Sequence, residues 1–406
     1  MPSLHFTPER DQELFAAVPA AAAVFVLWPL AEGEPYVSKT TNLRRRLIRL
    51  LGAGDERTKK LKLRDRVGRI EYTPTGSDFE SRLALYHAMR RLFPQQYRER
   101  LRLRPAPLVK LNLENEWPRA YITTRIGKLS GASHYYGPFP SRAAAEKFLN
   151  DSLDFFKMRR CDFDLHPDPA FPGCIYSEMK MCLAPCFKGC TGEEYAVEVA
   201  RVQQYLDSGG ASLRRELEAE RERSSAGLQF EQAAGVHARL EKVAAAIGQR
   251  PDVARRVDRL TGVMVQTSAE PDCVTLFPLQ AGRIGAAIQF PVNVVTLPAA
   301  EEKQAGGKAR PQSMEARVQQ ALAAAPALPK ATAAETMDHL ALLKRWYYRG
   351  SKTGEIFLAE ANGELPMRRI VRSIGRVFRG EKAAPDLNES ARDYWVHRGR
   401  AAERSQ

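Results

Sequence analysis

Apolar positions divide the chain into short alternating runs and longer helical stripes. Val24-Phe25-Val26-Leu27-Trp28 is a continuous apolar run of strand length, and Pro35-Tyr36-Val37-Ser38 follows after the turn Glu32-Gly33-Glu34. Leu43, Leu47 and Leu50 then recur at helical spacing behind Thr41 or Asn42, predicting a capped helix through about Leu51. Val67 to Tyr72 predicts a third strand, and Ser77 or Asp78 caps a helix from about Phe79 to Leu92, ended by Pro94. Residues 1–13 carry no such pattern and are expected to form a loose arm.

Further along, Val109 to Leu113 and Ala120 to Arg125 predict two strands. Tyr135 to Ser141 is turn-rich and caps a helix from about Arg142 to Phe156. Glu193 to Gly248 is helical and charge-laced, broken near Gly209-Gly210, and predicts an antiparallel hairpin. Gly262 to Gln266, Cys273 to Pro278 and Gly285 to Phe290 predict strands of one small sheet. Ala299 to Ala334 reads as a connection with one helix, Met337 to Tyr348 as a helix, and the last 25 residues as a poorly ordered tail. The resulting class is α+β, with expected units at 14–100, 101–192, 193–249 and 250–370 and a tail over 371–406.

Composition sharpens this picture in two places. Net charge is +14, and residues 41–110 hold 19 Lys or Arg against 7 Asp or Glu, so one early block carries most of the excess. A focused basic surface suits a phosphate backbone, because each neutralised phosphate releases condensed counterions. Five of six cysteines (Cys161, Cys174, Cys182, Cys186, Cys190) fall within thirty residues, a density that points to a metal or cluster site, while Cys273 reads as a buried strand residue. The longest apolar stretch, Ala16 to Leu30, is broken by Pro19 and Pro29 and is too short to span a bilayer. No secretory pattern opens the chain, so a cytoplasmic location and no membrane partner are expected.

Four thiolates within 26 residues suit a cubane iron–sulfur cluster or a structural Zn²⁺. Zinc sites usually show paired knuckles, and only Cys182-Leu183-Ala184-Pro185-Cys186 is such a pair.

Three constellations resemble the UvrC family of excinuclease subunits. Tyr36-Val37-Ser38-Lys39 followed by Asn42-Leu43-Arg44-Arg45-Arg46 resembles its GIY-YIG nuclease domain. The resemblance implies phosphodiester cleavage by Tyr36, Lys39 and Arg46 around one Mg²⁺, with DNA held by Arg44, Arg45, Arg46 and Arg49. It also exposes losses. The first motif tyrosine falls on Phe25, the motif glycines on Ala23 and Ser38, and a further aromatic on Leu50. The metal-binding glutamate falls on Leu85 and the closing asparagine on Tyr97. Leucine cannot ligate a metal; Glu80 sits about 140° around the helix from Leu85, and Glu71 is the remaining candidate. The centre is therefore expected to be degenerate.

The block Cys161, Cys174, Cys182, Cys186 resembles the family's cysteine block, which implies a [4Fe–4S] cluster, with Cys190 outside the four-ligand pattern. Leu228 to Leu240 resembles the UVR motif, a helical hairpin that implies docking on a UvrB-like helicase subunit through Phe230, Ala233, Ala234 and Leu240. Tyr135 to Ser141, Leu343 to Tyr348 and Glu355 to Pro366 also resemble family segments. Past residue 366 the resemblance stops, and no RNase-H-like set of carboxylates follows. The implied function is nucleotide excision repair. Two alternatives stand beside it, a single-incision endonuclease and a non-catalytic iron–sulfur regulator that binds DNA.

Overall fold

The computed structural model describes residues 2–53, 63–127, 131–293, 312–330, 332–350 and 352–381. The fold is α+β, with three antiparallel sheets and helices packed around them.

The first sheet uses β1 (Ser3–His5), β2 (Ala23–Pro29), β3 (Tyr36–Thr40) and β4 (Val67–Pro74), in the order β1-β4-β2-β3. Between the strands lie α1 (Asp11–Ala17) and α2 (Leu43–Leu51), and α3 (Asp78–Leu92) follows. Alternation along β2 explains its continuous apolar run. Phe25 and Leu27 enter a core with Leu43, Leu47 and Leu50 of α2, while Val24 and Val26 face the opposite side, where α3 lies. Asn42 caps α2 and Ser77 caps α3 through their side chains.

The first thirteen residues are not a loose arm. Leu4 pairs with Ile70 across the sheet edge, Phe6 is buried, and Arg64 ties Asp11 and the Pro8 carbonyl to the domain. An edge strand of three residues is too short to announce itself by alternation, and its partner lies more than sixty positions away.

The second unit begins with α4 (Tyr97–Arg100) and builds a sheet from β5 (Leu108–Asn112), β6 (Arg119–Thr123) and β7 (His134–Gly137). Helices α5 (Arg142–Leu153), α6 (Ile175–Glu178), α7 (Gly192–Ser208), α8 (Ala211–Ala226) and α9 (Phe230–Gly248) follow, and β8 (Arg255–Arg256) closes the sheet in the order β6-β5-β7-β8. The expected turn at Tyr135–Ser141 is half strand: Tyr136 is buried in β7 and donates to Asp207 at 2.8 Å, and Ser141 caps α5. Thr191 and Glu194 form a reciprocal capping box on α7. The break after α7 is at Gly209-Gly210, both left-handed, and a second at 227–229 lets α9 return along α8.

The third sheet comprises β9 (Gly262–Thr267), β10 (Cys273–Gln280), β11 (Arg283–Ile284) and β12 (Ile288–Pro291). Its edge strand, β13 (Glu355–Leu358), comes after α10 (Met314–Ala323) and α11 (Ala333–Tyr347), and α12 (Met367–Phe378) packs on the sheet. Both faces are covered: Met264, Phe277 and Leu279 meet Leu340 and Leu343 of α11, and Val263, Val265 and Leu276 meet Ile370 and Ile374 of α12. The strand expected at 285–290 starts later, at Ile288, and Cys273 is only half-buried. The expected tail from 371 instead opens with helix, because Ile370, Ile374 and Val377 recur at helical spacing against the sheet. Residues 294–311, within the expected connection, and residues 382–406 of the tail lie outside the described residues.

Helix α3 lies against β2 and β3 of the first sheet but buries its apolar side chains in another core. Its Phe79, Leu83 and Tyr86 are buried with Phe277, Leu343 and Trp346 rather than with the first sheet's core. The turn before it is equally committed. Thr267 Oγ1 donates to the Gly76 carbonyl at 2.6 Å, and a Cβ on Gly76 would lie 2.2 Å from the Ser268 backbone carbon. Only glycine allows this approach of β9's end to the α3 turn.

Candidate functional site

The tyrosine centre is half assembled. Arg46 Nη2 on α2 donates to Tyr36 Oη on β3 at 2.8 Å, and the Phe25 ring lies 6.1 Å from the Tyr36 ring, fully buried and without a hydroxyl. Among the described residues no carboxylate forms an ion pair or hydrogen bond with Tyr36 or Arg46. The two discounted acids are engaged elsewhere. Glu80 is buried and accepts from Gly76 N at 2.7 Å, and burial pushes its pKa up. Glu71 pairs with Arg69 at 3.4 Å and Arg91 at 3.5 Å.

Lys39 points to α3, where it pairs with Asp78. Asp78 also accepts from Arg82 at 2.7 Å and Arg349 at 2.6 Å. Burial alone would raise its pKa, but hydrogen bonds from Lys39 and Arg82, with their charges, hold it at about 2. Leu85 lines a cleft of about 300 Å³ beside Lys39, together with Met89, Leu103 and Leu342. The position assigned to a metal-binding glutamate is therefore part of an apolar floor.

The arginine block on α2 separates by face. Arg45 and Arg49 are exposed one turn apart, with the exposed Ile48 between them. Arg44 turns inward instead, donating to the Val18 carbonyl at 2.9 Å and the Ala16 carbonyl at 3.1 Å, so it fastens α1 to α2. Tyr97, at the motif's closing position, donates to Asp338 of α11 at 2.6 Å. Sequence reasoning missed Asp78, Arg82 and Arg349, whose convergence joins positions up to 271 residues apart.

The cysteines lie in a loop-rich segment between α5 and α7. Burial pushes the Cys182 thiol up to about 11, and the nearby charges of Cys161, Cys186 and Cys174 add to the rise. Cys190 feels Glu194 and, of the other cysteines, Cys186 alone, so it stands at the margin of the set. Among the described residues no three such side chains are closed around one point as metal ligands. The surroundings nevertheless suit an anionic group. Arg159 is buried, with no carboxylate partner among the described residues; its Nη1 donates to Cys161 Sγ at 3.4 Å and to the Phe163 carbonyl at 3.0 Å, and its Nε to the Trp117 carbonyl at 3.0 Å. A buried cation without a carboxylate costs several kcal/mol unless another anion is near. Ala184 N donates to Cys182 Sγ at 3.3 Å, a second N–H aimed at sulfur. Both donors would suit thiolate sulfur at Cys161 and Cys182.

On the helical hairpin the four singled-out positions lie within about 120° of one another around α9 but differ in burial. Phe230 and Ala234 are exposed and Ala233 is half-buried, whereas Leu240 packs on the core with the buried Val236 and Val243. The outward apolar surface is Leu228 and Phe230, 73% and 67% exposed.

No helix among the described residues is long and apolar enough to cross a membrane. Residues 106–205 match the family model described as UvrC/Cho excinuclease, middle domain. The chain is 28% identical over 287 residues to the UvrABC system protein C of Stenotrophomonas maltophilia (strain R551-3), covering 70% of this chain and 46% of that protein. The namesake from Koribacter versatilis is 32% identical over 224 residues, 53% of this chain and 35% of the relative. That from Xanthomonas campestris pv. campestris (strain B100) is 26% identical over 365 residues, 88% and 58% respectively. The chain spans about half the length of the curated relatives it matches, and no solved structure matches it. Residues 106–205 thus match the middle domain of the UvrC/Cho excinucleases, within a chain similar to UvrABC system protein C.

Proposed function

We propose that the protein is a UvrC-like nucleotide excision repair protein that binds DNA and a UvrB-type partner without cutting at its tyrosine centre. The observation that carries this reading is Leu85. Cleavage of the implied kind needs a carboxylate to hold a hard divalent ion beside the tyrosine and arginine. Here the arginine and tyrosine remain paired, while the carboxylate's position supplies apolar floor. Arg45 and Arg49 are exposed where they could meet phosphates, and Leu228 with Phe230 offers an apolar docking surface for a partner helix.

Cys161, Cys174, Cys182 and Cys186 would hold a [4Fe–4S] cluster, with Zn²⁺ as the alternative occupant. Such a cluster, when bound, supplies a rigid anionic cross-link and a one-electron redox centre. Arg159 would balance its charge, and Ala184 N–H would donate to the ligating Cys182 sulfur. The metal content and visible absorption of anaerobically purified protein decide between iron and zinc.

The test of the whole reading is incision of an end-labelled, lesion-bearing duplex with Mg²⁺ or Mn²⁺ and a UvrB-type partner. Duplex and partner binding without a nick is the expected result. A discrete nick abolished by Tyr36→Phe would replace this reading with a single-incision endonuclease, which the intact Tyr36–Arg46 pair favours. Failure to bind either duplex or partner would overturn both.

A further inference from the structure

The cleft over Leu85 has a second wall, contributed by the C-terminal part of the chain. Its floor is Leu85, Met89, Leu103 and Leu342, and its rim is Lys39, Arg82, Arg100 and Arg345. The floor and rim come from β3, α3, the α4 turn and α11, so the cleft exists only where these elements meet.

Charge at the rim is one-sided. Among the described residues Asp78 alone pairs with Lys39, Arg82 and Arg349, and Glu34 serves Arg100 at 2.8 Å. Arg345 forms no ion pair with any described residue. Burial and the fields of Arg82, Arg349 and Arg104 lower its pKa, against the pull of Asp78. Guanidinium groups gathered this way are stabilised by an anion that accepts from several of them at once, and phosphate does so in bidentate fashion.

The floor narrows the choice further. A bare phosphate would satisfy the rim and leave an apolar surface wet. A nucleoside would cover the floor and leave Arg345 without an anion. A volume of about 300 Å³ is at the small end of ligand sites and accommodates one nucleotide. We propose that this cleft is a nucleotide site, with the base on the Leu85–Leu342 floor and the phosphate among Arg82, Arg345 and Lys39. The occupant is a free mononucleotide or one nucleotide unstacked from a strand, and cations stand where a carboxylate would bring a metal. Binding is consequently independent of divalent ions. This assignment goes beyond the repair reading and does not require a partner protein.

The test is a calorimetric titration of the full chain with dAMP, deoxyadenosine and inorganic phosphate, each with and without EDTA. The site predicts dAMP binding at least about tenfold tighter than either half, unchanged by EDTA. Leu85→Trp fills the floor without altering charge and should abolish dAMP binding while leaving weak phosphate binding. Arg345→Glu, at an exposed position, should also remove dAMP binding and keeps the test decisive if the tryptophan variant fails to fold. Equal affinity for dAMP and phosphate would reduce the cleft to an unspecific anion patch and overturn the proposal. Unchanged dAMP binding in Arg345→Glu would overturn it as well. A 5′-phosphorylated hexadeoxyadenylate that displaces dAMP identifies a strand-borne nucleotide; one that leaves dAMP bound identifies the free nucleotide. Duplex affinity lost only in Arg45→Ala or Arg49→Ala leaves this site untouched, so the two readings fail separately.

Discussion

Arg159 Nη1 lies 3.4 Å from Cys161 Sγ, and the guanidinium is buried without a carboxylate partner among the described residues. A thiolate or a thiolate-ligated group beside it supplies the missing negative charge, and the N–H donated to sulfur stabilises the more reduced state. For the proposed cluster, Arg159→Met is expected to lower the reduction potential by on the order of 60 mV, a tenfold change for a one-electron couple. Spectroelectrochemical titration of the two proteins measures it. An unchanged potential with an intact cluster spectrum would remove Arg159 from the centre.

Neighbouring arginines on α2 should behave in opposite ways. Arg45 and Arg49 are exposed, so each alanine variant should reduce the slope of log affinity against log salt by about 0.9 on duplex DNA. Arg44 donates to two carbonyls at the end of α1. Arg44→Ala should leave that slope unchanged and cost about 1–3 kcal/mol of stability, read by urea unfolding.

Gly76 sets how closely the α3 turn meets β9. A methyl group there would meet backbone atoms of Thr267, Ser268 and Ala269 at 2.2–2.5 Å, which no side-chain adjustment can relieve. Gly76→Ala should cost at least about 2 kcal/mol. Amide exchange should speed up first around Phe79, Leu83 and Trp346, whose packing depends on that seat.

His339 makes stability depend on pH. Burial, with the charge of His87, lowers its pKa to about 4; Arg283 and Arg90 act in the same direction and Glu335 against them. The unfolded chain takes up this proton near pH 6.5, so the unfolded state binds more protons between about pH 6.5 and 4. Stability therefore falls as pH drops through that window, by up to about 3 kcal/mol. His339→Gln, which can still accept from Ile284 N, should flatten the decline in urea midpoints between pH 7 and pH 4.5.

Much of the first sheet was legible because its signals are local. Asn42 and Ser77 cap as their positions suggest, and Leu43, Leu47 and Leu50 form the buried stripe that their spacing predicts. Function was less legible where it depends on rotation about a helix or on distant partners. Arg44 and Arg45 are adjacent and chemically identical, but 100° of helical rotation makes one a tether and the other a free cation. Leu240 follows Ala233 by seven residues and shares its stripe, yet the hairpin's own packing draws it toward the core and leaves Phe230 outside. The Tyr97–Asp338 and Asp78–Arg349 bonds span more than 240 residues, and no periodicity reports them.

The double allegiance of α3 has a consequence for how the chain is made. The first sheet can pair as soon as Pro74 has left the ribosome, but the core around Phe79, Leu83 and Tyr86 is completed only with Phe277, Leu343 and Trp346. At roughly 5–20 residues per second, more than 250 residues of elongation separate these events by on the order of 10–50 s. Throughout that interval the nascent protein displays an aromatic flank that still lacks the cover of the third sheet and α11. The cleft beside Lys39 is thus among the last features to exist, although its first residue is among the earliest translated.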